Sequence, residues 1–267
     1  MTRLPRPSRA NSSQPLQRSR DLLWDGLLNV RDLGGHPTED GDETRYDSII
    51  RADSVRQLSD QGWAALVDYG VKTIIDLRAN EELEADPPAE LPVEVLHIPF
   101  FETDTSEWKE IEAELDSAAR AAPDVPSATR EVYLIFLEHF GGNVAAAIRA
   151  IANAPEGGVV IHCAGGKDRT GLLTAFLLHV AGVGIEEIAA DYALSEERLR
   201  PRHEQWFAEA ESEEELERLQ RVAQTPAESI EGVFAELARR HGSVEGYLRD
   251  AGLTDDELDR ARARLRD

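Results

Sequence analysis

Cys163 is the single cysteine of this 267-residue chain, and the residues after it are the ones an oxyanion needs. The stretch reads His162-Cys163-Ala164-Gly165-Gly166-Lys167-Asp168-Arg169-Thr170-Gly171. Gly165 and Gly166 carry no Cβ, so the backbone of Ala164 to Arg169 can wrap until several N–H groups converge on one anion. Arg169 offers a planar fork that grips two oxygens of a tetrahedral oxyanion, and Lys167 adds a second cation. Such a cradle fits phosphate. It also favours a thiolate: a thiol at a helix N-terminus beside Arg or Lys ionises at roughly pH 3.5–7.5 instead of about 8.5. Thr170 can offer its hydroxyl to the sulfur. The chemistry expected is attack of Cys163 on phosphorus, a phosphocysteine intermediate and its hydrolysis by water, with no metal and no other cofactor. A Walker-type nucleotide loop is excluded by spelling. Asp168 stands where Ser or Thr should follow Gly-Lys, and Ile161 stands where the first Gly should be.

The flanking residues say how such a loop is held. Val159-Val160-Ile161-His162 reads as a buried strand running straight into it, and Leu172 to Leu178 is apolar all round, as a central buried helix would be. A strand-to-helix turn presents free N–H groups and the positive end of the helix dipole to an anion. Val71 to Leu77 is apolar on both faces, the signature of a strand covered on two sides. Val93 to Ile98 reads as another strand, and Ile49-Ile50 as a short one. Helices are expected over Ser59–Tyr69, with Ser59 as N-cap and Gly70 as stop, over Glu107–Ala122, and over about Ala128–His139. The last eighty residues read as helical, with capping-box spellings at Ser212…Glu215, Thr225-Pro226…Glu228 and Thr254…Glu257. Helices alternating with two-sided strands argue an α/β fold with a mostly parallel central sheet flanked by helices and a helical C-terminal extension. Residues 21–267 read as one domain, and residues 1–20, with five Arg, three Pro and no acid, as a disordered basic tail.

The loop resembles the signature of the cysteine-dependent protein tyrosine phosphatase superfamily. The Lys-Asp-Arg spelling resembles its bacterial branch more narrowly. Asn29-Val30-Arg31-Asp32-Leu33-Gly34-Gly35, Ile75-Asp76-Leu77-Arg78 and Gly242-Ser243-Val244-Glu245-Gly246-Tyr247-Leu248 are similar to further motifs of that branch. The resemblance covers about residues 22–255. It implies activity on phosphotyrosine, with phosphoserine, phosphothreonine and phosphoinositides as further substrates, and a lid near residues 201–224.

A departing alkoxide or phenoxide needs a proton, usually from a carboxylic acid beside the cradle. Asp76 ends a buried strand, on the sheet edge where the C-termini of parallel strands open, together with Cys163. It is the favoured acid here, against a structural role paired to Arg78 or Arg169. Asp168, inside the cradle, is read as acting on water or on the charge of Lys167, with the acid role as its alternative. Asp104 is a weaker candidate. His162 reads as a support for the loop. Arg31 and Asp32 read either as a turn ion pair or as the rim of the cleft.

The chain carries 29 Lys+Arg against 52 Asp+Glu, a formal charge of −23 that rises in density to −28 once the tail is set aside. Nucleic acid and anionic membranes are therefore disfavoured as partners, and a phosphoprotein ranks ahead of a phosphoinositide as substrate. No apolar run is expected to reach the roughly 18 residues of a membrane helix, and no secretory signal is evident. A cytoplasmic location is expected, with export by a non-standard route left open; oligomeric state leaves no trace in the sequence. Pro201 to Gln224 reads as an amphipathic helix pair with an acidic face, or as the lid. Two rivals share the loop's physics: a rhodanese-type sulfurtransferase, whose loop does not usually read Gly-Lys-Asp-Arg-Thr-Gly, and a phosphate-binding module without turnover.

Overall fold

The structure, a computed structural model, describes residues 18–85 and 93–267. Five strands form one sheet: β1 (Arg31–Asp32), β2 (Ile49–Ala52), β3 (Val71–Asp76), β4 (Glu94–His97) and β5 (Gly158–His162). Their order is β1-β2-β5-β3-β4; β1 is antiparallel to β2 and every other neighbouring pair is parallel. β5 is therefore central. The registers align Ala52, His162, Asp76 and His97 across the C-terminal edge. All four parallel strands end together there, with Cys163 in the middle.

The two-sided strands divide their side chains between two cores. Ile49, Ile75, Val159 and Ile161 face the larger one; Ile50, Ile74 and Val160 face the smaller. The smaller face is closed by α1 (Asp60–Asp68) and the segment carrying Trp24 and Val30. Ser59 caps α1 by accepting from Gly62 N, and Gly70 follows at φ +92°. The larger face is closed by α4 (Val125–Asn153), α5 (Asp168–Val180), α9 (Ala227–His241), α10 (Val244–Asp250) and α11 (Asp255–Arg266). α5 is buried along nearly its whole length. The remaining helices are α2 (Asn80–Ala85), α3 (Trp108–Ala121), α6 (Ile185–Arg198), α7 (Arg200–Glu209) and α8 (Glu213–Ala223).

Several expectations are corrected. The helix expected to stop at His139 runs on to Asn153 through a kink at Phe140. Gly141 and Gly142 read as a break, but Val144, Ala147, Ile148 and Ile151 bury a continuing stripe, and tertiary packing outweighs the weak helix propensity of two glycines. As a result α4 is long and apolar enough to cross a bilayer by length and composition. Half of that window is buried inside the fold against its neighbours, as in a core helix. Thr225 does not cap α9, whose N-cap is Pro226. Its hydroxyl instead donates to Ala193 O and accepts from Glu196 N, tying α9 to α6. Thr254 and Glu257 form a full capping box, and Ser212 accepts from Glu215 N.

Residues 1–17 of the expected tail lie outside the described residues. Arg18, near its end, is ion-paired with Asp47 (2.7 Å) with its guanidinium over the Tyr46 ring, and Tyr46 donates to Arg18 O at 2.7 Å.

Candidate active site

Cys163 is 2% exposed, directly after β5 and five residues before α5. The loop between them turns through Gly166, at φ +63°. A Cβ there would lie 2.4 Å from Ala52 O, so only glycine lets the loop rest on the end of β2. Three successive carbonyls of the loop are taken by donors outside it. Ala164 O accepts from Ser54 N at 3.1 Å. Gly165 O accepts from Asn29 Nδ2 at 3.1 Å. Gly166 O accepts from Asn29 Nδ2 at 3.1 Å and from Arg51 Nη2 at 2.6 Å. In a trans peptide the C=O and the next N–H point in opposite directions. The N–H groups of Gly165, Gly166 and Lys167 therefore face away from these donors, toward the inside of the loop. That is the geometry of an anion cradle.

Arg169, in the first turn of α5, pairs its fork with Glu82 of α2; its Nη2 donates to Glu82 Oε1 at 2.9 Å. Its guanidinium lies over Phe101, 5.2 Å from the ring centroid. Burial opposes the charge on Arg169, but the Cys163 sulfur and the Glu82 carboxylate hold it ionised beyond the ordinary arginine value. Burial likewise opposes the charge on Glu82, and Arg169 reverses this and holds its carboxyl below the usual range. Thr170 Oγ1 is buried with no hydrogen-bond partner among the described residues. A buried hydroxyl without a partner calls for an explanation, and here it stands at the start of α5, beside the loop.

The two favoured aspartates occupy different settings. The Asp76 side chain is 5% exposed and clasped by Arg78, whose Nη2 donates at 2.8 Å and whose backbone N donates at 3.0 Å. Burial would raise its pKa, yet the Arg78 hydrogen bonds and nearby His162 bring it below the ordinary carboxylate value. His162 is fully buried, with Nε2 3.6 Å from Asp76 and Nδ1 3.2 Å from Cys163 O, and burial lowers its pKa. The Asp168 side chain is 49% exposed. Its Oδ1 accepts from Tyr133 of α4 at 2.5 Å and lies 3.4 Å from Lys167 Nζ. Asp104 accepts from Asn80 at 3.0 Å on the exposed side of α2.

Lys167 is turned out of the cradle, its ammonium donating to Val222 O in the last turn of α8. α7 also reaches the loop: Arg202 donates to Asp53 Oδ2 at 2.9 Å and approaches Ala164 O at 3.5 Å. The pair α7–α8 thus lies against the loop. Beside Arg169 stands an aromatic stack in which Phe101 meets Trp108 at 5.5 Å and Phe136 at 4.9 Å.

Arg31 makes neither a turn ion pair with Asp32 nor a cleft rim. It is fully buried and pairs with Asp191 of α6 at 2.8 Å, while Asp32 accepts from Gly34 N and Asp47 N. Sequence reasoning passed over Glu82, Arg51, Asn29, Asp191 and Tyr133 as site residues. The available signal for Glu82 was its place four residues after Arg78, in an acidic run that opens α2.

A family profile described as the tyrosine phosphatase family matches residues 22–267. A tyrosine-protein phosphatase of Nostoc commune is 30% identical over 233 residues, which cover 82% of this chain and 74% of that protein. The triple specificity protein phosphatase PtpB of Mycobacterium tuberculosis is 27% identical over 271 residues, covering 90% and 97% respectively.

Proposed function

The chain belongs to the tyrosine phosphatase family and is an enzyme of the protein-tyrosine-phosphatase type, and we propose that it cleaves phosphate monoesters through a covalent phosphocysteine on Cys163. The observation that carries this reading is the run of three outward-held carbonyls at Ala164, Gly165 and Gly166, which aims their neighbouring amides at the space beside Cys163. The sulfur attacks phosphorus as the P–O bond to the leaving group breaks. The amides and Arg169 carry the charge on the equatorial oxygens. Water then attacks phosphorus, the P–S bond breaks, and inorganic phosphate leaves. The unpartnered hydroxyl of Thr170 is available to the sulfur in both steps.

For the proton we favour Asp168 over Asp76. Asp76 is buried and clasped by Arg78, which stabilises the charged form and leaves no proton to give. Asp168 opens onto solvent at the mouth of the loop, with Tyr133 fixing one oxygen. It protonates the leaving oxygen and then takes the proton of the attacking water. Asp76 lies 3.6 Å from His162, whose Nδ1 is 3.2 Å from the Cys163 carbonyl, and its oxygens stay with Arg78 at the end of β3.

Phosphotyrosine is the first substrate of this reading, because the Phe101–Trp108–Phe136 stack gives an aryl ring an apolar wall beside Arg169. The relative named for triple specificity makes phosphoserine and phosphothreonine natural further substrates. A phosphoinositide ranks lower, since Lys167, the extra cation, is spent on Val222 O. α7 and α8 act as a lid, clipped by Lys167 and Arg202. Phosphate release from a phosphotyrosine peptide, a phosphoserine peptide and a phosphoinositide, with chelator present, tests the reading. Release fastest from the phosphotyrosine peptide and lost in Cys163→Ser is expected. Vanadate binding without any release would make the protein a binding module instead.

A further inference from the structure

The loop is held from behind by charges that are costly to bury, and we propose that they serve to aim it: Arg51, locked by Asp191 and Arg31, is a positioning residue for phosphoryl transfer to Cys163. The inference rests on the reading above and adds to it a residue outside the loop that touches no substrate.

Arg31 and Arg51 face each other across β1 and β2, and both are essentially sealed from solvent. Asp191 reaches in from α6 and takes both, Arg31 Nε at 2.8 Å and Arg51 Nη1 at 2.7 Å. Burial works against the charge on Asp191, yet the two guanidiniums hold its carboxyl far below the ordinary range. Burial and the neighbouring Arg51 pull Arg31 down to about 9, so it stays charged at neutral pH. His36, whose Nε2 is 3.8 Å from Asp191, is kept neutral by burial, with its pKa lowered to about 4. The cluster therefore holds two cations against one anion. An apolar core of the same volume is often as stable, and one buried cation has no carboxylate of its own to offset it. Stability alone is a weak account of these residues.

Their remaining hydrogen bonds give a better one. Arg51 spans the cluster and the loop with one fork, Nη1 on Asp191 and Nη2 on Gly166 O at 2.6 Å. Arg31 Nη1 donates to Asn29 Oδ1 at 2.7 Å, which leaves the Asn29 amide group to donate to Gly165 O and Gly166 O. Arg31 Nη2 meanwhile anchors on the Asp191 carbonyl at 2.6 Å. Every donor that turns the Gly165 and Gly166 carbonyls outward is thus oriented by Asp191, directly or through Arg31. With those carbonyls fixed, the amides of Gly166 and Lys167 cannot rotate away from the phosphate. The uncompensated cation behind the loop adds a field of the sign that favours a phosphoryl dianion.

Arg51→Lys keeps the charge, but a single ammonium cannot hold Asp191 and Gly166 O as a fork does. Its measurement compares nitrophenyl phosphate turnover, orthovanadate affinity, and the rate at which iodoacetate alkylates Cys163 at pH 6. The expected result is a folded protein whose kcat falls roughly 10- to 100-fold and whose vanadate affinity falls in step, with KM changed much less. Alkylation at pH 6 should slow at least about threefold, since iodoacetate is itself an anion and meets a less ordered set of amides beside the sulfur. Should Arg51→Lys not fold, Arg51→Gln carries the same test, because it removes the fork that joins Asp191 to Gly166 O and leaves Asp191 paired with Arg31. A folded variant within about twofold of wild type in kcat and vanadate affinity overturns the inference. Loss of kcat with vanadate affinity intact overturns it as well. A wild type that binds vanadate but releases no phosphate overturns the reading beneath it, while the vanadate and alkylation measurements still decide the role of Arg51.

Discussion

Asp76 and Asp168 lie at the same sheet edge and differ in what surrounds them. Arg78 holds Asp76 charged, whereas Asp168 is half exposed to solvent with Tyr133 on one oxygen. A general acid matters in proportion to the basicity of the leaving oxygen. Asp168→Asn is therefore expected to slow the cleavage step of a phosphoserine peptide by roughly 10²–10³-fold and the burst of nitrophenolate from nitrophenyl phosphate far less, because nitrophenolate leaves without a proton; hydrolysis of the phosphocysteine slows equally for both. Asp76→Asn should slow both esters alike, by loosening Arg78 and the end of β3 beside the loop. Rapid-quench rates of the first step on the two esters separate the cases: equal losses for both esters in Asp168→Asn would return the acid role to Asp76. The sequence made both aspartates visible, one in the cradle and one at a strand end, but not their order. The clasp by Arg78 depends on side-chain geometry that a two-residue spacing permits and does not compel. Glu82 and Asp191 were harder still. They meet Arg169 and Arg51 across 87 and 140 residues, and nothing local marks an acid for such a pairing.

Strand, loop and buried helix were the most legible elements, because their residues answer to strong local demands. β5 and β3 are apolar on both faces, as covered strands must be, and α5 has no polar stripe at all. The kink and extension of α4 were not legible, since paired glycines look like a stop until the buried stripe beyond them has partners. Thr225 misled for a related reason: its spelling fits a cap, but α6 offers its hydroxyl two partners. The α7–α8 pair is held to the loop mainly by polar contacts of Arg202 and Lys167. Contacts of that kind, at a partly exposed site, open at low cost. Arg202→Ala is expected to speed alkylation of Cys163 by a bulky reagent several-fold and to raise turnover of phosphopeptides more than that of nitrophenyl phosphate. Unchanged alkylation would mean that α7–α8 does not gate the site.

Across the whole molecule the charge is −23, while the site is built for an anion. Arg169 and the aligned amides supply local attraction, but a phosphopeptide must first cross an acidic field. Peptides with Arg or Lys beside the phosphotyrosine should therefore show a higher kcat/KM than acidic ones. The gap should narrow as salt rises from about 0.02 to 0.3 M, where the screening length falls below about 10 Å. A preference that salt leaves untouched would point to a direct side-chain contact instead. The same contrast between acidic body and cationic site is compatible with the family's chemistry, which asks for positive charge only within a few ångströms of the phosphorus.

The most direct measurement is the covalent state of Cys163 during turnover. Wild type, Asp168→Asn and Cys163→Ser are mixed with a phosphotyrosine peptide in the presence of chelator, quenched within milliseconds and examined by mass spectrometry under conditions that preserve a P–S bond. One phosphoryl group on the peptide containing Cys163 is expected in wild type and Asp168→Asn, and none in Cys163→Ser. Phosphate released at full rate with no phosphoryl group on Cys163, or release that persists in Cys163→Ser, would contradict the account.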